Sequence, residues 1–156
     1  HRLLDISAVD ALKQRLLPLA DLVTPNIPEA QALTGIRIEG PEQMEAAAKK
    51  ILDFGPGSVL LKGGHLKGSQ LYDLLVTSLG SEWFETQRIV TQHTHGTGCT
   101  LASAIATGLA QGLVLDKAVC RAREYVLKAI RKAPGFGAGH GPLGHTHTVS
   151  IFPPKK

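Results

Sequence analysis

The sequence predicts an α/β fold, with a mostly parallel sheet, helices on its faces and one antiparallel hairpin. Three observations carry that expectation. Stretches with helical periodicity alternate with short apolar runs. One run, "SVLLKGG", is continuously apolar, as a central parallel strand covered on both faces requires. With 156 residues, 43% of them hydrophobic and 19% charged, the chain also has the length and composition of one globular domain with a proper core.

The elements follow in order. Ser7 is placed to cap a helix on which Val9, Leu12, Leu16 and Leu17 recur at helical spacing, ending near Pro18 to Ala20. "DLVTP" reads as a short buried strand stopped by Pro25, and "NIPEAQALTG" as a short helix opened by Asn26 and Pro28 and closed by Gly35. In "PEQMEAAAKKILDFG" a helix begins with Pro41 in its first turn. Met44, Ala47, Ala48, Ile51 and Leu52 make its apolar face, and Gly55 ends it. "SVLLKGG" ends in Lys62, Gly63 and Gly64. "QLYDLLVTS" and "EWFETQRIV", with Gly80 in the turn between them, form the hairpin, which extends or covers one sheet edge.

Over residues 97–111, Leu101, Ala104, Ile105, Gly108 and Leu109 make one face and Ala102, Ala106 and Ala110 another, so this helix is expected to be buried nearly all round. Asp116 is read as the cap of the last helix. There Ala118, Ala122, Tyr125, Val126, Ala129 and Ile130 face inward, and Lys128, Arg131 and Lys132 favour the dipole. Residues 135–156 form a Gly/Pro-rich terminal loop segment with at most a short strand over 148–152, and the glycines and prolines of 135–147 favour mobility. No internal repeat interrupts the alternation.

A net charge of +4 and a pI near 9.2 raise the question of nucleic acid. Outside residues 121–132 and the Lys155-Lys156 tail, however, the basic residues are scattered among acidic ones, and no aromatic residue is interleaved with a basic cluster. Nucleic acid is therefore set aside, and an anionic small molecule suits the charge equally well. Apolar runs stop well short of a membrane span. Cys99 and Cys120 lack C-x-x-C spacing, which points to free thiols in a reducing cytoplasm. The N-terminus has neither an initiator Met nor an apolar leader, as expected of a fragment.

The chemistry concentrates in "HTHGTGCTLASAIATG". Gly96, Thr97 and Gly98 stand directly before a helix, where backbone N–H groups lack intrahelical acceptors and the dipole's positive end points at the same spot, so the turn can hold an anion. Cys99 in the first turn feels the same field, which favours the thiolate and suits a general base. On these residues alone, a packing turn with Cys99 as a small core hydrophobe stands equally. Asn26 and Glu29 of "NIPE" follow a strand end, where α/β proteins place ligand groups, and such groups hold Mg²⁺ through water; a helix cap and a first-turn acid explain them as well. Lys62 can reach phosphates as a point charge, or be simply solvated. The pairs His93/His95 and His145/His147 have no carboxylate or Cys at ligand spacing to complete a metal set, and loop polarity is the plainer reading.

Taken together, "LVTPNIPEAQALTG", "VLLKGGH", "THGTGCTLASAIA" and "GHGPLGH" resemble the ribokinase-like superfamily, and within it the hydroxymethylpyrimidine/phosphomethylpyrimidine kinases of thiamin biosynthesis. The resemblance implies a Rossmann-like three-layer sandwich. Ribokinase-like enzymes generally close a G-A-G-D loop with Asp, whereas this branch carries Cys, as at Cys99. Carried over, Cys99 becomes the base that takes the proton of the substrate hydroxymethyl group, with Gly96, Thr97 and Gly98 as anion hole. Lys62, Gly63 and Thr97 become nucleotide contacts, and Asn26 and Glu29 match the N-x-x-E motif associated with Mg²⁺ and phosphate. ATP and Mg²⁺ are the implied cofactors, and hydroxymethylpyrimidine and its phosphate the substrates. His93 stands where relatives usually have Asn or Asp, which leaves a turn or metal role at that position open.

The resemblance covers the C-terminal portion of one such kinase domain, residues 1–156, apparently truncated at its N-terminus. An open sheet edge is then expected, and with it a homodimer to cover it. A non-catalytic nucleotide-binding fragment and a pyridoxal-type kinase of the same superfamily are the alternatives.

Overall fold

The computed structural model describes residues 6–66 and 68–149, and the chain divides into two units between Arg88 and Ile89. The first unit opens with helix α1 (Ile6–Ala11), which contains Ser7 rather than being capped by it, and continues as a π turn (Leu12–Leu16) and a 3₁₀ turn (Leu17–Leu19). Pro18 accounts for the change, since it has no N–H for the carbonyl four residues back and its ring clashes with it. Leu17 is buried and Leu16 exposed, so the expected apolar face extends only in part.

Helix α2 (Ile27–Thr34) ends at Gly35 in the left-handed conformation, and α3 (Pro41–Leu52) begins with its proline in the first turn. Both match the sequence reading. Strand β1 (Ser58–Lys62) pairs antiparallel with β2 (Gln70–Thr77), which pairs antiparallel with β3 (Gly80–Gln87). Gly80 thus starts the second hairpin strand instead of sitting in the turn.

Parallel pairing, expected to dominate, is confined among the described residues to three isolated bridges, Val23 with Val59 and Asn26 with Lys62 in this unit and His95 with Pro142 in the second. The "DLVTP" segment runs beside β1 without completing a ladder, and Pro25, which has no N–H to donate, limits it. β1 is nevertheless central, with neighbours on both sides, and the burial of Val59, Leu60 and Leu61 agrees with its unbroken apolar run. Val59 and Leu61, with Leu74 and Val76 of β2, pack beneath Met44, Ala47, Ala48 and Ile51 of α3 and Ala30 and Leu33 of α2.

In the second unit, α4 (Thr97–Ala110) packs on α5 (Leu115–Arg131). Gly108 allows the close approach, for a Cβ there would lie 3.0 Å from that of Ala118. The expectation that α4 is buried all round is corrected: Leu101, Ile105 and Gly108 form its buried stripe, while Ala106 and Ala110 are exposed. Thr100, Ser103 and Thr107 recur at helical spacing, and Ser103 and Thr107 lie on its exposed side, a polar stripe that the small alanines around it obscure in the sequence. Asp116 is not the cap of α5, a place taken by Val114; it lies in the first turn beside Lys117, 3.3 Å away. Ala118, Val119, Ala122, Val126 and Ala129 are buried, with Tyr125 and Ile130 half-buried.

The Gly/Pro-rich segment is tied down within this unit. His95 bridges Pro142, the Gly144 amide donates to Ala129 O at 2.9 Å, and Leu143 is buried. A short 3₁₀ turn spans His145–Thr148 and takes in the first residue of the short strand expected over 148–152, of which residues 150–152 lie outside the described residues.

Candidate functional site

Two clusters form, one in each unit. In the first unit, β1 carries Lys62 to the start of α2. The Lys62 amide donates to Pro25 O at 2.9 Å, and Asn26 bridges Lys62. Asn26, Glu29 and Lys62, three of the residues singled out from sequence, therefore gather at one sheet end. Asn26 and Glu29 form a reciprocal capping box: the Asn26 amide donates to Glu29 Oε2 at 2.7 Å, and the Glu29 amide to Asn26 Oδ1 at 2.9 Å. The cap reading is thus realised, and it leaves Glu29 Oε1 without a partner among the described residues. One held carboxylate oxygen completed by water is a donor set that suits Mg²⁺, which keeps much of its hydration shell. Lys62 Nζ likewise has no partner among the described residues.

Gly63 has a structural task beside any contact with nucleotide. Its amide donates to Asp73 Oδ1 at 3.1 Å, and a Cβ there would fall 2.0 Å from Tyr72 O. Asp73 and Arg88 belong to this cluster and escaped the sequence reading. A carboxylate inside the apolar strand "QLYDLLVT" is the signal that could have found Asp73, since a charge there needs a partner. Arg88 carries no comparable signal.

In the second unit, Gly96 is the N-cap of α4 and is left-handed at φ 84°, a conformation that favours glycine. The Thr97 hydroxyl donates to Thr94 O at 2.7 Å, and the Thr97 amide is directed to the same carbonyl at 3.3 Å. The amides of Gly96, Gly98 and Cys99 have no acceptor among the described residues. Cys99 is exposed, not part of the core, and lies in the first turn that carries these donors. The two sequence motifs around it also come together: the His95 amide donates to Gly141 O at 3.2 Å, and His140 Nδ1 lies 3.1 Å from Gln92 O.

The histidines serve this packing. His93 Nδ1 is buried without a partner among the described residues, against Gly141, where a Cβ would lie 2.3 Å from it. His147 Nδ1 lies 2.9 Å from Gly144 O, and His145 Nδ1 3.2 Å from the Tyr125 hydroxyl. Among the described residues no three His, Cys, Asp or Glu side chains are grouped to hold a metal, and no helix is long and apolar enough to cross a membrane.

Comparison with known proteins identifies the relatives of this chain. The family model for phosphomethylpyrimidine kinase matches residues 1–144. The thiamine biosynthesis bifunctional protein of Geobacter sulfurreducens is 52% identical over 143 residues, which are 92% of this chain and 29% of that protein. The hydroxymethylpyrimidine/phosphomethylpyrimidine kinase of Streptomyces coelicolor is 46% identical over 92% of this chain and 53% of its own length. Among solved structures, the ADP complex of Bacillus subtilis pyridoxal kinase superposes with a TM-score of 0.87 at 34% identity, over 92% of this chain and 57% of that one. The shared fold is α/β of the ribokinase-like class. The chain spans about half the length, or less, of the relatives it matches.

Proposed function

The chain belongs to the phosphomethylpyrimidine kinase family, and from that premise we propose that it carries the phosphoryl-transfer part of a kinase for 4-amino-5-hydroxymethyl-2-methylpyrimidine and its monophosphate. One observation carries the reading: an exposed thiol, Cys99, stands in the first helical turn beside amides that have no acceptor among the described residues.

In its deprotonated form Cys99 Sγ takes the proton as the substrate's hydroxymethyl O–H bond breaks, and becomes the neutral thiol. The oxygen forms its bond to the γ-phosphorus of ATP while the bond from that phosphorus to the β-phosphate bridging oxygen breaks. Meanwhile the amides of Gly96, Gly98 and Cys99 face the charge on the transferred group, with Thr97 fixing the turn through Thr94. Lys62 supplies a point charge to the phosphates, and Gly63 keeps its strand end in place. Glu29, with Asn26 beside it, would hold Mg²⁺, which when bound would neutralise phosphate charge.

The chain is read as the C-terminal portion of one kinase domain, working in the cytoplasm. It is read as a homodimer, because the outer edge of β3 pairs with no strand among the described residues. The likeness to pyridoxal kinase favours pyridoxal as the competing acceptor.

The test is Mg-ATP-dependent phosphorylation of the pyrimidine and of pyridoxal by the full-length gene product. Turnover of the pyrimidine is expected, and Cys99→Ala is expected to lower kcat by about 10²–10⁴-fold, the range for a general base. Full activity in Cys99→Ala removes the base from this scheme, and preference for pyridoxal moves the enzyme to the other branch.

A further inference from the structure

Arg88, one residue past β3, reaches back to the loop that follows β1. Its Nε donates to Gly68 O at 2.9 Å, its Nη1 to Gly64 O at 3.0 Å and its Nη2 to Leu66 O, while its amide donates to Ser69 O at 2.7 Å. One guanidinium thus gathers three carbonyls of one loop, and no carboxylate pairs with it among the described residues. The loop is held at its start as well, by the Gly63 amide on Asp73 and the Leu66 amide on Gly63 O at 3.0 Å.

Peptide planarity gives this clamp a consequence. In each trans unit the C=O and the following N–H point in opposite directions. With the carbonyls of Gly64 and Gly68 turned onto Arg88, the amides of His65 and Ser69 are turned away from it, and neither has an acceptor among the described residues.

We propose that Arg88 is the positioning residue of the loop that follows Lys62, fixing its backbone so that the His65 and Ser69 amides stand as donors for the phosphates of a nucleotide. The proposal rests on the reading of Lys62 as a phosphate contact. A lysine cannot replace the arginine here, because a single ammonium lacks the planar fork that spans separate carbonyls.

The experiment compares Arg88→Gln, Arg88→Lys and Lys62→Ala in the full-length gene product. It reads amide hydrogen exchange over residues 64–69, KM for ATP, KM for the pyrimidine, and kcat. Arg88→Gln is expected to speed exchange in the loop and raise KM for ATP about tenfold, the scale of lost charge-assisted hydrogen bonds, with KM for the pyrimidine unchanged. Arg88→Lys carries the same expectation, and keeps the test open where the glutamine variant does not fold. Lys62→Ala is expected to raise KM for ATP without altering loop exchange. Wild-type KM for ATP in both Arg88 variants, while Lys62→Ala raises it, overturns the proposal. A raised KM in the Arg88 variants with a wild-type value in Lys62→Ala overturns the Lys62 reading and supports Arg88.

Discussion

Asn26 and Glu29 satisfy each other's backbone amides and still leave one carboxylate oxygen over. A helix cap and a ligand group are therefore compatible at these positions, and the two readings that the sequence left open can be separated by what each predicts. Asn26→Ala removes the side-chain acceptor for the Glu29 amide and is expected to lower stability by about 1 kcal/mol in denaturant unfolding. The backbone amide at position 26 that holds Glu29 Oε2 is kept in this variant, so a rise in the Mg²⁺ concentration for half-maximal activity is expected only through loss of the Asn26 side chain as a ligand group. A stability loss with an unchanged Mg²⁺ requirement would leave Asn26 as a cap alone.

Asp116 gives the residue scale a pH signature. The Lys117 amide donating to its carboxylate, helped by the Lys117 ammonium, holds its pKa below the ordinary value of 3.8. A carboxylate whose folded pKa is depressed stabilises the fold above its unfolded pKa and loses that contribution as pH falls through the folded value. Asp116→Asn is accordingly expected to be less stable than the parent at neutral pH. The gap should close as acid unfolding is followed below 3.8. A gap of constant size down that range would refute the assignment.

At the scale of elements, periodicity and punctuation located α2, α3, β1 and the hairpin closely, because Gly35, Pro41 and Gly55 act through local backbone restrictions. The geometry of the Gly96 turn was legible for the same reason: glycines before an apolar run announce a helix N-terminus. What the sequence did not reveal depends on contacts made at long range. α4 carries small apolar residues on several sides but is buried on one stripe, and Arg88 and Asp73 become meaningful only once the hairpin register brings them to the Gly63 loop. The Gly/Pro-rich segment read as mobile, yet its glycines include points of close approach to Lys132 and His93.

That close approach can be tested. A Cβ at Gly141 would lie 2.3 Å from His93 Nδ1 and 2.8 Å from Phe136 O. Because the Gly141 carbonyl also accepts from the His95 amide just before the Gly96 turn, Gly141→Ala should cost about 1–3 kcal/mol of stability, as overpacking does, and lower phosphoryl transfer by displacing the turn. Pairing it with His93→Ala, which vacates the space, should recover part of both losses. Equal losses in the single and double variants would mean that the His93 ring is not what the methyl meets.

At the scale of the whole molecule, the decisive fact is the span of the match. The chain covers 53% of the Streptomyces coelicolor kinase and 57% of the Bacillus subtilis pyridoxal kinase. On the function proposed above, the candidate phosphate, metal and base residues lie within this span, and the acceptor pocket is proposed to lie largely in the part of the relatives that the chain does not cover. Donor and acceptor recognition should therefore be separable. The amides proposed to face phosphate, Lys62 and Glu29 belong to local elements whose caps and turns are formed within the described residues, so titration calorimetry of the 156-residue polypeptide with ATP and Mg²⁺ should register binding. The same titration with 4-amino-5-hydroxymethyl-2-methylpyrimidine should register none, whereas a polypeptide of the relatives' full length should bind both. Pyrimidine binding by the 156-residue chain would overturn this division and place the acceptor pocket among residues already described. Absence of nucleotide binding would mean that the anion hole at Cys99 and the Lys62 cluster act only when the rest of a kinase surrounds them.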